Sequence, residues 1–384
     1  MKTGFSAPPF ARIVISTFIV MSGFGAVIPA LPVHLREDFH ANTFVTGFLI
    51  GLSSGAALLG RLIAGRVADQ RGRRLALAIG LALCEFAGFL YLPFFRIGGL
   101  SVARLLHGLG EGFFLTAAVA WAVDLAPPDR RSQALGFLAS GVWGGVSVGP
   151  LIGQILGSWA RVSWFVALSS LLVVPILHTT SERRLMTLRK AGRLVPRASI
   201  LPGFVLGFAN VAYAAMAGFL ILLLRERGVR GAGAFTAFAL MVLFARITLG
   251  SLPDRLGPRK TLFAGLLFLA AGLTAIALSS SAAVVTAASA VVGLGYSFPW
   301  PSLAVVVVRR ADPSERASAL GALTAFYDIF VALGSLVAGG IASRFGLRAV
   351  FWMALSSVAC SAVIAWVSEV GQEEVVEDFE EAVA

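Results

Sequence analysis

The stretch GRVADQRGRR at residues 65–74 returns, 185 residues later, as GSLPDRLGPRK at residues 250–260. Under that shift Arg61, Gly65, Asp69, Gly72 and Arg74 fall on Arg246, Gly250, Asp254, Gly257 and Arg259. The register then continues without a gap. Gly108, Leu109 and Gly110 fall on Gly293, Leu294 and Gly295, and Pro128, Arg131, Ala134, Leu135 and Gly136 on Pro313, Arg316, Ala319, Leu320 and Gly321; Gly149 falls on Gly334. A single offset held over so long a stretch marks a duplicated chain.

The surroundings of the two copies say what was duplicated. Of 384 residues, 58% are hydrophobic and 13% charged, against roughly a quarter charged in a soluble domain. A water-soluble fold cannot hide that much apolar surface. Twelve runs are long enough to cross a bilayer: about 11–33, 43–67, 75–94, 99–124, 134–157, 161–180, 200–224, 232–253, 261–279, 283–308, 318–342 and 348–368. All are expected to be helices, because backbone facing lipid must satisfy its hydrogen bonds within its own segment, and the alternation of a barrel strand is absent. The first run is too long for a cleaved signal peptide and lacks an A-x-A site.

Charge sets the orientation. With a cytoplasmic N-terminus, twenty of the 31 Lys and Arg lie inside and eight outside, and Arg61, Arg104 and Arg246 lie within spans. Both termini are then cytoplasmic. The expected organisation is a six-helix bundle over 1–180, a basic linker over 181–199, a second bundle over 200–368 and an acidic tail over 369–384. An even number of spans in each half makes this a parallel repeat about an axis along the membrane normal.

Other classes are excluded on the same residues. The net charge of +11 forms no basic stripe among exposed aromatics, so no nucleic-acid partner is expected. Cys84 and Cys360 fall within apolar runs and cannot form a disulfide framework. Gly145–Gly149 spells G-x-S-x-G inside a membrane helix, where the strand-to-helix elbow of a hydrolase cannot form. No H-E-x-x-H spacing and no phosphate-binding loop occurs. Neither enzyme activity nor a metal or cofactor is expected, and any work must draw on a gradient.

With these loops in these places the chain resembles the major facilitator superfamily of secondary transporters, whose signature after span two is Gly-x-x-x-Asp-Arg-x-Gly-Arg-Arg/Lys. Gln70 replaces the first basic residue, and Pro258 interrupts the second copy. The resemblance implies twelve transmembrane helices in two pseudo-symmetric six-helix bundles. It also implies that Asp69 and Asp254 help latch the cytoplasmic face shut, with Gly65, Gly72, Arg73, Arg74, Gly250, Gly257 and Arg259 around them. A plain positive-inside anchor is the alternative. Asp69 ends a helix whose dipole disfavours a carboxylate there, so arginines or another helix must hold it. Asp124, at the end of span four, is expected to pair with Arg73 or Arg131.

Polar residues inside spans are the candidate site. Arg104, His107 and Glu111 stand at i, i+3 and i+7 in span four, sharing one helix face over about 10 Å. Three such groups on one face imply a polar cavity or mutual pairing. Arg104 matches the family's membrane arginine. Glu111, at a position usually small and neutral in the family, is the first candidate for proton carrier, by inference from its depth alone. Asp328 in span eleven and Glu85 in span three compete with it.

Span five carries Gly141, Gly145, Gly149, Gly153 and Gly157 at i+4 spacing, with Pro150 among them. This bare stripe suits close approach of another helix and is similar to the glycine–proline signature of the family's antiporters. Span ten holds two prolines flanking Trp300, which are expected to break the helix. In the family, spans one, four, seven and ten line the central cavity, which makes Met21, Phe24, Asn210, Tyr213, Met216, Tyr296 and Trp300 candidate substrate contacts. The expectation is a monomer in the plasma (inner) membrane, exporting small organic or amphipathic compounds against protons by alternating access. A proton symporter or uniporter importing a sugar or organic acid, and a non-transporting sensor, are the alternatives.

Overall fold

The structure, a computed structural model, describes residues 7–92, 96–127, 130–180, 195–228, 232–312, 315–368 and 370. Most of the linker and the acidic tail, and Pro128 and Pro313 of the repeat, lie outside the described residues. The first half supplies α1 (Ala7–Glu37), α2 (Thr43–Arg71), α3 (Arg73–Leu90), α4 (Arg96–Leu125), α5 (Arg131–Leu156) and α6 (Trp159–His178). The second supplies α7 (Ile200–Glu226), α8 (Ala232–Thr248), α9 (Leu252–Leu256), α10 (Pro258–Leu278), α11 (Ala282–Tyr296), α12 (Pro299–Arg310), α13 (Arg316–Phe345) and α14 (Leu347–Val367).

Ten helical stretches are long and apolar enough to cross a membrane, α11 and α12 counting together as one. The 18-residue α3, which carries Arg73, Arg74 and Glu85, and the shorter α8 complete twelve spans. The apolar runs place the helices, and local chemistry ends them. The Asn42 side chain accepts from Val45 N at 3.0 Å and caps α2. Gly72 and Gly257, equivalent under the shift, take φ of 108° and 86°, a region closed to side chains by Cβ sterics. Each therefore turns the chain sharply into the next helix.

Prolines account for one departure from the expected spans, in span eight, and for the expected break in span ten. Span eight was expected to run through 253, but α8 stops at Thr248 and α9 begins just before Pro253. Proline has no N–H to donate and disfavours helix in the residue before it. Span ten breaks at Ser297 and Phe298, and α12 restarts with Pro299 in its first turn, where a missing N–H is harmless.

Helix pairing repeats with the sequence. In the first half α1 packs on α5 and α6, α4 on α2 and α3, and α3 on α6. In the second, α7 packs on α13 and α14, α11 on α8 and α10, and α10 on α14. The halves meet along two equivalent seams, α2 with α13 and α5 with α8, and at α1 with α7.

The α2–α13 seam is tightest at the end remote from the duplicated loops. A Cβ on Gly51 would lie 2.5 Å from Ala332 O, and one on Gly339 2.8 Å from Thr43 O. Thr43 Oγ1 donates to Gly339 O at 3.3 Å, and Arg225 pairs with Glu37 between the ends of α7 and α1. Toward the loops the seam opens: Gly55 and Gly65 would meet nothing within 4 Å.

Candidate functional site

Where the seam opens, only a long side chain can cross it, and Arg61 does. Its Nε donates to Asp328 Oδ2 at 2.8 Å, and its Nη2 stands 3.9 Å from Glu111 Oε1. One guanidinium on α2 thus serves a carboxylate of α4 in its own half and one of α13 in the other. The Asp328 side chain is 4% exposed and that of Glu111 17%. Water has almost no access to Asp328 and little to Glu111, so removing Arg61 strands the Asp328 charge above all.

The same 185-residue shift carries Arg61 to Arg246, Glu111 to Tyr296, and Trp143 to Asp328. The structure assembles this second set as it assembles the first. The Arg246 guanidinium stands 5.0 Å from the centre of the Trp143 ring, and Trp143 meets Tyr296 edge to face at 5.5 Å. Tyr213 stacks on Tyr296 at 5.7 Å, and the Tyr296 hydroxyl donates to that of Tyr327 at 3.1 Å. Among the described residues Arg246 has no ion-pair partner, and its buried Nε makes no hydrogen bond. The aromatic face offers about 0.5–2 kcal/mol, whereas a cation within a bilayer costs roughly 2.5–3.5 kcal/mol even on the lenient scale.

Arg104 and His107 share the α4 face of Glu111 but have different partners. Arg104 Nε donates to Leu49 O at 3.1 Å and its Nη1 to the Tyr91 hydroxyl at 3.4 Å. That hydroxyl lies 2.9 Å from His107 Nδ1, and Phe24 packs edge-on to His107 at 5.3 Å. Arg104 therefore braces α2 to α3 and is not the partner of Glu111. Beside it lies a cavity of about 30 Å³, lined among others by Phe24, Ile50, Ser54, Arg104 and Tyr213. This is room for about two waters.

The remaining candidates lie apart. Met21 and Met216 are buried in helix packing. The Asn210 amide is bonded back to Leu206 O at 2.7 Å on its own helix. Trp300 is partly buried against the core. Glu85 is half-buried on α3, which packs mainly on α4 and α6. The sequence places Arg61 and Arg246 within spans, but nothing in their spacing assigns them a site, and neither Trp143 nor Tyr327 stands out in it. The repeat offset applied to Asp328 points to Trp143.

In the duplicated loop, Arg73 ties two carboxylates together. It bonds Asp69 one turn earlier on the chain, and its Nε donates to Asp124 Oδ2 at 3.0 Å. Arg74 donates to Thr180 O. Position 258 in the second copy is proline, so among the described residues Asp254 is exposed without such a bridge, and Arg259 stacks over Trp366 at 5.2 Å and Phe263 at 5.8 Å. Arg73→Ala is expected to cost about 1 kcal/mol, discounted for the exposed Asp69 side chain. Thermal unfolding in detergent reads this, and an unchanged melting temperature would remove the bridge from consideration.

The glycine stripe of α5 is a seat for α1. A Cβ on Gly145 would lie 2.5 Å from Phe18 O; on Gly149, 2.5 Å from Ser22 O and 2.6 Å from Gly25 Cα; on Gly153, 3.0 Å from Ala26 O. Pro150 continues within the helix. In the second half the sizes are exchanged: Phe326 and Phe330, equivalent to Gly141 and Gly145, press on Gly203 and Gly207 of α7.

Two bundles, twelve spans and a buried polar seam describe a membrane transporter. The family model of the Major Facilitator Superfamily matches residues 13–233 and again 203–382, and the chain belongs to that family. An uncharacterized MFS-type transporter of Salmonella typhimurium (strain LT2) is 30% identical over 375 residues, 92% of this chain and 94% of the relative. Among solved structures, the nucleoside transporter NupG superposes with a TM-score of 0.76 at 14% identity, over 94% of this chain and 98% of that one. The human organic anion transporter MFSD10 (TETRAN) gives 0.72 at 17%, over 92% and 98%. At these identities the structural likeness speaks for the fold. The chain is a multi-pass transporter of small molecules and not an enzyme.

Proposed function

We propose that the protein exports small organic compounds across the inner membrane in exchange for protons, working as a monomer with both termini in the cytoplasm. The observation that carries this reading is Arg61 shared between Glu111 and Asp328 across the seam. With all three ionised the group sums to one negative charge, and one proton balances it. A proton on Glu111 leaves Arg61 bound to Asp328 and the halves tied. A proton on Asp328 releases that tie and leaves Arg61 to Glu111 in its own half. The seat of the proton therefore selects whether the seam is held, which is the link alternating access needs.

The excess of basic residues on the loop side supports a cytoplasmic position for the duplicated loops, and the seam is tight at the opposite end. The glycine–proline stretch of α5, similar to that of the family's antiporters, favours exchange over cotransport. The test is reconstitution in liposomes under an imposed pH gradient, with a panel of dyes, drugs, sugars and organic acids. Export by exchange requires proton flux opposite to the compound's movement; flux in the same direction identifies a symporter and overturns the reading. Glu111→Gln is expected to lose uphill transport while keeping compound-for-compound exchange. Full coupled transport in that variant would falsify the role of Glu111.

A further inference from the structure

The two arginines of the repeat occupy equivalent places in unlike company. At the two positions that hold Glu111 and Asp328 around Arg61, the repeat puts Tyr296 and Trp143; Arg246 stands over the Trp143 ring, and Tyr296 packs edge to face on Trp143. A guanidinium presents a planar fork of donors shaped for a carboxylate. Among the described residues nothing anionic fills that fork at Arg246, and its buried Nε donates to no atom. The rings beside it supply flat apolar walls, Tyr213 and Tyr296 stacked with planes 28° apart and Trp143 set edge-on. Such walls suit a planar body and leave a single charge to be matched.

We propose that Arg246 anchors the anionic group of the transported compound, and that the compound is an aryl carboxylate whose ring lies against Trp143 and Tyr296. The inference rests on the export reading and adds the chemistry of the cargo. It also gives the second seam a tie. Asp328 joins the halves through Arg61 on the α2–α13 seam, and a bound carboxylate supplies to Arg246 the counter-charge that the α5–α8 seam lacks. A proton serves one seam and the cargo the other.

The test uses the full-length protein in detergent without a gradient, titrated calorimetrically with naphthoate and with naphthalenemethanol, which has the same ring and no charge. The wild type is expected to bind naphthoate about tenfold or more tightly than the alcohol, the scale of a hydrogen-bonded charge pair. Arg246→Gln is expected to erase that preference, and Arg246→Lys to keep part of it. Trp143→Asp places a carboxylate where the repeat puts Asp328. It is expected to raise the ligand-free melting temperature above that of Trp143→Asn and to abolish the naphthoate preference. This comparison decides the matter even if Arg246→Gln does not fold. No naphthoate preference in the wild type, or a preference that survives Trp143→Asp, overturns the proposal. Because no gradient is applied, either result leaves proton coupling standing. Conversely, an Arg246-dependent preference without proton-driven transport would overturn the coupling and leave this site intact.

Discussion

Arg61→Gln is expected to destabilise the protein by about 3–5 kcal/mol, the scale for breaking a buried ion pair from one side, and to abolish uphill transport. The size follows from what is left behind. Asp328 is almost wholly buried and Glu111 partly so, and the amide of glutamine cannot neutralise either. Stability alone would not show that the pair matters for transport, so a second variant separates the two effects. Replacing all three polar residues together, Arg61→Met, Glu111→Leu and Asp328→Leu, removes every buried charge, and such exchanges are often neutral or stabilising. The triple variant is expected to regain the melting temperature of the wild type and to remain unable to use a pH gradient. If it transports uphill, the group is structural glue and the coupling lies elsewhere. If Arg61→Gln melts like the wild type, the ion pair across the seam does not form in the membrane.

The second large effect is expected at Gly149. The smallest possible side chain there would meet Ser22 O, Ala26 N and Gly25 Cα, all backbone atoms of α1 and all within 2.6 Å. Backbone cannot swing aside as a side-chain tip can, so α1 and α5 must separate. Gly149→Ala is therefore expected to cost about 1–3 kcal/mol and to impair transport. Gly136→Ala, on the same helix with nothing within 4 Å, is expected to stabilise by up to about 1 kcal/mol through helix propensity. Opposite signs from the same chemical change, read as melting temperatures in one detergent, would establish the stripe as a packing seat. Equal signs would refute it.

Much of the fold was legible in the residues because membrane insertion is a local rule. A run of about twenty apolar residues must form a helix in lipid whatever surrounds it, and glycine at positions 72 and 257 permits a turn that other residues resist. The prolines of span ten interrupt the helix as their pattern implies, whereas Pro253 ends span eight earlier than its apolar run suggests. The site was less legible. Helical spacing put Arg104, His107 and Glu111 on one face, and they are on one face. Their partners come from other helices: Tyr91 of the α3 end and Leu49 of α2 for Arg104, Arg61 of α2 for Glu111.

The duplication, the twelve spans and the identity of the few charged residues inside them follow from the chain alone, since each depends on short-range composition and on one offset. Which charge meets which does not. Arg61 and Asp328 are 267 residues apart, and only the meeting of two bundles along α2 and α13 brings them within hydrogen-bond reach. The same packing that gives Arg61 two carboxylates sets Arg246 over the Trp143 ring. A buried charge is defined by the atoms that replace its water, and those atoms are supplied by tertiary contact.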